Sequence, residues 1–408
     1  VGWNTGETGT ILLDGSSATL TTTDDVRLGE NGSANVTRDN GSQWIASAGI
    51  DLADETGQAT LTLQNSSQIQ SISDIAIGDN SGNATLNVLS GSSLDIDGFS
   101  IARDESNGQL NVNASTVTSS GSCYIGTGSS SQNGIGNAVF ENGSTLDLAG
   151  SMYVGNYGTG SLTFDDSTWQ GDLVNTARLY LGYRSTGQGD VTLQNGTTLD
   201  IEYLWIGRDG SGAVTLDGAG TVLTQYDNLS LLRIADSENS TGVMTVKNGA
   251  SHVYEDTSAN RVTVGLSGIG HYTVTGNGSS SQFAADVLVG FDSTAAGSSV
   301  NVQDGANFSA TSLSLGWGST GLAEGDGTQM SLSGDFDINN SGANSLTLQN
   351  NAKLTVGGTL QIGSDDTFQL LTNAQLEVAT VSGNLTNTSG IFSPGNSPAH
   401  TTISGDYS

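Results

Sequence analysis

The sequence predicts an all-β fold, a single right-handed parallel β-helix (a β-solenoid) with three strands per coil and about 14–16 coils. Three observations predict it. A repeat of about 26 residues runs through the chain, its segments alternate apolar and polar residues, and no ten residues show helical periodicity.

The repeat is marked by two apolar residues that flank one outward residue and are followed by a small one. Val26-Arg27-Leu28-Gly29, Ile50-Asp51-Leu52-Ala53, Ile75-Ala76-Ile77-Gly78 and Cys123-Tyr124-Ile125-Gly126 are early copies, and Leu360-Gln361-Ile362-Gly363 is the last of fourteen. Successive small residues lie 23 to 30 positions apart. Each period holds two further triplets. One is exemplified by Leu61-Thr62-Leu63 and Val191-Thr192-Leu193, the other by Leu94-Asp95-Ile96, Leu146-Asp147-Leu148 and Leu199-Asp200-Ile201, with Asn-Gly or Gly-Ser turns between them. Period-2 alternation is the mark of a strand with one buried face. Three such strands make one triangular coil, and a lone coil buries too little to offset the entropy of ordering it. Stability therefore belongs to the stack, whose equivalent strands pair as parallel sheets. The small residue is expected where the chain turns a corner with positive φ. Residues 1–25 are read as an N-terminal strand or cap region, 26–390 as the solenoid, and 391–408 as a proline-containing junction with a final strand.

Composition excludes several functions. The 408 residues carry 10 Lys+Arg against 41 Asp+Glu, a formal charge of −31, so neither nucleic acid nor an anionic membrane is an expected partner. One cysteine, Cys123, allows no disulfide framework and no cysteine-based metal site. No apolar run approaches the ~18–20 residues of a membrane span. No signal peptide precedes Val1, so export implies a leader already removed.

Gly143-Ser144-Thr145-Leu146-Asp147-Leu148, then Tyr153-Val154-Gly155, then Gly158-Thr159-Gly160-Ser161-Leu162-Thr163 resembles the β-solenoid passenger of bacterial autotransporters. Ser393-Pro394-Gly395-Asn396-Ser397-Pro398, followed by Thr402-Ile403-Ser404-Gly405-Asp406-Tyr407, is similar to the junction of exported solenoids that carry a PEP-type sorting tail. Here Ala399-His400 stands where that junction usually has a small residue. The resemblance implies a scaffold and an export route, hence an extracellular or bacterial cell-surface location.

Function in such a stack belongs to outward columns. The first-strand column contains Tyr124, Tyr153, Tyr180 and Trp205 in succession, then Arg233, and 8 of the chain's 15 Trp+Tyr lie between 124 and 205, Tyr157, Trp169, Tyr183 and Tyr203 among them. Such a strip either stacks on sugar rings or an apolar protein surface, or serves as an aromatic ladder that stabilises its sheet. A second column is read as Thr62, Asn87, Asn111, Thr163, Thr192, Thr215, Thr245, Thr273, Asn301, Ser331 and Thr347, too irregular beside its partner positions for an ice-binding plane. Asp95, Asp147 and Asp200 recur on alternate coils, a poor arrangement for shared catalysis. The acidic doublets Asp24-Asp25, Asp104-Glu105, Asp165-Asp166, Glu255-Asp256 and Asp365-Asp366 offer ligands for Ca²⁺, but solvated loop charge is the expected reading. His252, His271 and His400 are expected on exposed strands or loops, and Cys123 in the core.

The reading is therefore a non-enzymatic structural or adhesive protein of a surface layer or filament, without catalytic residues, resident metal or cofactor. Its expected partners are further copies of itself, stacked head-to-tail or laterally, or an extracellular glycan or surface protein. The alternative is a polysaccharide-binding or polysaccharide-cleaving β-helix that uses the aromatic strip.

Overall fold

Each period folds into three short strands. In one turn these are Gln58–Leu63, Gln68–Ser71 and Ile75–Ile77, and each pairs in parallel with its counterparts in the turns before and after. The computed structural model describes residues 1–129, 132–171, 177–226, 230–257, 262–394 and 401–408. The fold is a parallel β-helix of about 15 turns, and its helical content among the described residues is one 3₁₀ turn, Ser293–Ala295. Two compact units divide the chain: residues 1–201 with 210–212, and residues 202–209 with 213–408.

In the first unit the alternation seen in the sequence becomes two inward columns on the long strands. Val36, Leu61, Leu86, Leu110, Ala138, Leu162 and Val191 are in register and buried. The neighbouring column runs Leu63, Val88, Val112, Phe140, Phe164 and Leu193, with the Phe140 and Phe164 rings stacked 4.8 Å apart. Identical side chains one turn apart sit at the interstrand spacing, which suits ring stacking and amide ladders. In the second unit Met244, Tyr272 and Val300, with Leu346 and Phe368 further along, fill the equivalent inward positions.

The Asn-Gly turns after the long strands carry a device the sequence only hinted at. Asn40-Gly41, Asn195-Gly196 and Asn248-Gly249 have consecutive positive φ angles, 52 and 76°, 54 and 86°, 55 and 89°. This conformation is tolerated by asparagine and free for glycine. Their side-chain amides then reach one turn back. Asn40 Nδ2 donates to Asp14 Oδ1, Asn195 Nδ2 to Asp165 Oδ1 and Asn248 Nδ2 to Asp217 Oδ1, each at 2.7 Å, and Asn65 of an Asn-Ser turn bonds Asp39 Oδ1 in the same way. Hydrogen bonds from Asn65 and Gln64 hold the Asp39 carboxyl below its ordinary range.

The small residue after each apolar pair turns a corner in the left-handed region. From Gly29 to Gly290 the eleven corner residues have φ between 57 and 81°, the three alanines Ala53, Ala102 and Ala235 included. At Gly316 the left-handed residue is instead the next one, Trp317, with φ 50°. Asn339 and Gly363 are not left-handed either, so the corner rule stops before the last turns. A Cβ on Gly155 would lie 2.1 Å from the Gln188 carbonyl oxygen. An alanine in this conformation costs about 1–2 kcal/mol, part of which glycine gives back through its flexibility when unfolded, about 0.5–1 kcal/mol. Ala102→Gly is therefore expected to stabilise the fold by about 0.5–1 kcal/mol, and Gly155→Ala to destabilise it by more. Urea midpoints of the two variants, displaced in opposite directions, check this.

The segment 1–25 joins the ladder. Thr8–Asp14 pairs with Ser33–Asp39, and Thr19–Thr22 with Gln43–Ala46. At the other end Ile391–Ser393 pairs with Gln375–Glu377, and Thr402–Ile403 with Thr380 and Val381. Pro398 and His400 lie outside the described residues.

Candidate functional site: the aromatic column

The first-strand column stacks in the register read from the sequence. In the first unit it runs Arg27, Asp51, Ala76, Ser100, Tyr124, Tyr153 and Tyr180. The three tyrosine rings form one pile. Tyr124 and Tyr153 are 4.8 Å apart at 7°, Tyr153 and Tyr180 4.9 Å apart at 13°. In-register pairing at the interstrand spacing imposes this, so the ring faces lie against one another. The pile is only partly open to solvent. Tyr180 is 5% exposed, and Tyr183 sets its ring edge-on against both Tyr153 and Tyr180, at 4.9 and 5.3 Å. Burial raises the pKa values of the Tyr124 and Tyr180 hydroxyls. The Arg184 guanidinium lies 4.9 Å from the Tyr183 ring centroid and 5.6 Å from that of Tyr157.

Trp205 and Arg233 belong to the second unit and are in register with each other. The cation over the Trp205 ring is Arg208, at 5.8 Å, whereas the Arg233 guanidinium pairs with Asp236 at 2.8 Å.

Arg208, Tyr183 and Arg103 share a position that sequence reasoning passed over: the residue after each corner. These residues stack as well, through bonds such as Asp79 N to Ala53 O, Arg103 N to Gly78 O and Thr127 N to Ala102 O. The column they form (Glu30, Asp54, Asp79, Arg103, Thr127, Asn156, Tyr183) lies beside the first-strand column. Its signal was available as a second fixed offset within the repeat. Arg27 bridges Glu30 and Asp54 at 3.6 and 3.7 Å, and Arg103 pairs with Asp79 at 3.4 Å. Burial raises the Asp51 and Asp79 carboxyls above their ordinary values despite nearby Arg103. Where the two columns meet above Tyr124, a cleft of about 340 Å³ is lined by Asp74, Ser100, Arg103, Asp104, Tyr124, Thr127 and Gly128. A wider trough of about 710 Å³ lies over the long strands of the same unit, lined by uncharged residues including Asn35, Gln58, Asn83 and Gln109.

Several placements differ from expectation. His252 is buried, not exposed. Its strand Ser251–Tyr254 turns His252 and Tyr254 inward, in register with Leu223 and Ser281. Its Nδ1 lies 2.8 Å from the Tyr272 hydroxyl and its Nε2 3.3 Å from Gln225 Oε1, while Gln225 Nε2 donates to the Glu202 and Leu231 carbonyls. Trp169 also points inward, between Leu146 and Leu199 in register and against Phe164. Ser331 is not in the second column: it pairs with Ser309 and Thr355 on another strand, and Leu322 takes that place after Asn301. His271 is partly exposed, with Nδ1 2.9 Å from Ser299 Oγ. Cys123, by contrast, is buried as the sequence reading expected, and burial pushes its thiol up to about 12.

Three of the five acidic doublets are engaged in turn structure: Asp25 accepts from Gly49 N, Asp165 from Gln194 and Asn195, Asp366 from Asn344 N. Among the described residues no three His, Cys, Asp or Glu side chains stand close enough to hold a metal ion. Comparison of the chain with protein-family models, with curated proteins and with solved structures finds no match.

Proposed function

We propose that the chain is an extracellular structural or adhesive β-solenoid, a component of a bacterial surface layer or filament, whose partners are further copies of itself or a surface glycan or protein. One observation carries this reading. The interior is continuous from turn to turn and its surface columns repeat in register, so each added turn extends the same surface. A net charge of −31 keeps such a surface soluble in salt and away from anionic membranes. Immunogold labelling of intact cells of the source organism with an antibody to this chain tests it: label on the outer surface is expected, and label confined to the cytoplasm would overturn it. Sedimentation over a hundredfold concentration range tests self-stacking, for which the mean mass is expected to grow with concentration.

A second reading, binding of polysaccharide along the aromatic column, is favoured by the open cleft at Tyr124 beside an otherwise self-stacked pile. Selective retention on a glycan array, lost in the Tyr153→Ala/Trp205→Ala double variant, is its expected signature.

A further inference from the structure

The tyrosine pile has one end at which a ring face is open. Tyr153 is covered on both faces, by Tyr124 and by Tyr180. Tyr124 is covered by Tyr153 on one face, and the other looks along the column to Ser100 and Ala76, whose side chains are small. There the cleft of about 340 Å³ opens. One wall, Thr127 and Gly128, leads into an antiparallel pair, Gly128–Ser129 with Gln132–Asn133, in one of the longer periods. Asp74 is exposed at the rim and Asp104 half-buried. Arg103 is held in place by Asp79 at 3.4 Å, which leaves the rest of its planar fork of donors available.

The cleft therefore combines an aromatic platform, two carboxylate acceptors and donors from Arg103, Ser100 and Thr127. A pyranose needs this mixture, because its C–H face packs on an aromatic ring while each hydroxyl both donates and accepts. An anionic sugar would meet Asp74 and Asp104. A bare cation would use the ring and the carboxylates but meet Arg103.

We propose that this cleft binds one ring of an uncharged glycan, laid on the open face of Tyr124, with Asp74 and Asp104 accepting from its hydroxyls and Arg103 donating to them. The site rests on the polysaccharide-binding reading and narrows it: recognition sits at the end of the pile, and the stacked tyrosines behind it hold the platform rigid.

The test is calorimetric titration and saturation-transfer NMR of the whole chain with neutral mono- and oligosaccharides, against Tyr124→Ala, Asp74→Asn and, as a control at an exposed ring of the second unit that lines no part of the cleft, Phe291→Ala. Asp74 is exposed, so Asp74→Asn keeps the test valid should Tyr124→Ala disturb the pile. Tyr124→Ala is expected to weaken binding at least tenfold and Asp74→Asn three- to tenfold, with Phe291→Ala unchanged. Sugar ring protons are expected to shift upfield in the complex, as protons over an aromatic face do. No sugar bound by the unaltered chain would remove the polysaccharide reading itself. Sugar bound equally by the unaltered chain, Tyr124→Ala and Asp74→Asn would remove the cleft alone. Binding of methylguanidinium or uronic acids in preference to neutral sugars would overturn the ligand class.

Discussion

On acidification from pH 7 to pH 4 the turns around His252 are expected to lose about 3 kcal/mol of stability. Its ring is fully enclosed by Tyr272, Phe283 and neighbouring turns, and burial pushes its pKa from an ordinary 6.5 down to about 3. The unfolded chain thus takes up a proton near pH 6.5 that the folded chain refuses until about pH 3. Stability is complete above the upper value and falls as pH drops through that window. The groups facing the ring explain why no ion forms there. Gln225 Oε1 accepts from Nε2–H, the Tyr272 hydroxyl donates to Nδ1, and Ser281 Oγ lies 2.7 Å from the same hydroxyl, so every contact is neutral. Tyr272 is itself pushed strongly upward by burial, so it supplies no counter-charge. Asp366, raised by burial, gains slightly over the acidic range and opposes the loss. His252→Gln keeps an amide at the site without a titrating ring. Urea unfolding at pH 7 and pH 4, followed by hydrogen exchange in residues 241–310, is expected to show the loss in the unaltered chain and most of it absent in the variant. Equal losses in both would show that the charge is accommodated.

The second large effect has the opposite sign. Arg38 occupies an inward position in register with Leu13 and Leu63, is 0% exposed, and its guanidinium nitrogens make no hydrogen bond among the described residues. Its nearest compensation is the Trp44 ring, 6.0 Å away. Burial lowers the pKa of this guanidinium to about 10. Replacing a buried ion by an apolar side chain of similar bulk is commonly stabilising by about 1–4 kcal/mol. Arg38→Leu would complete the leucine column of Leu13 and Leu63, and is expected to raise protection against hydrogen exchange in residues 33–71 by that amount. Faster exchange there would mean that the charge has a partner worth more than the apolar contact.

Both residues show where sequence reading ran out. The first-strand column was legible residue by residue, because two apolar neighbours and a fixed small residue define parity and register together. Trp169, His252 and Arg38 were not assigned inward. In Ser251-His252-Val253-Tyr254 both faces carry an apolar residue, so alternation alone does not say which face is buried, and a one-residue slip exchanges them. Thr168-Trp169-Gln170 has the parity of Thr145-Leu146-Asp147, so its inward placement was readable from the repeat. Ser331 was misassigned because the turn from 313 to 338 puts Leu322 at an outward position usually held by threonine or asparagine. The cleft was invisible for a different reason: Asp74, Arg103 and Thr127 come from three successive turns, and only the second offset within the repeat connects the last two.

The left-handed corners and the asparagine–aspartate links recur at one period, and each turn presents its neighbour with the same backbone edge. Gly78 and Ala102 occupy equivalent corners one turn apart. Removing or duplicating the codons between them would leave the reading frame, the hydrogen-bonding edge and the buried columns continuous. Unequal recombination within such a gene is therefore expected to give folded chains of different lengths, and related strains to differ by whole turns of 23 to 30 residues.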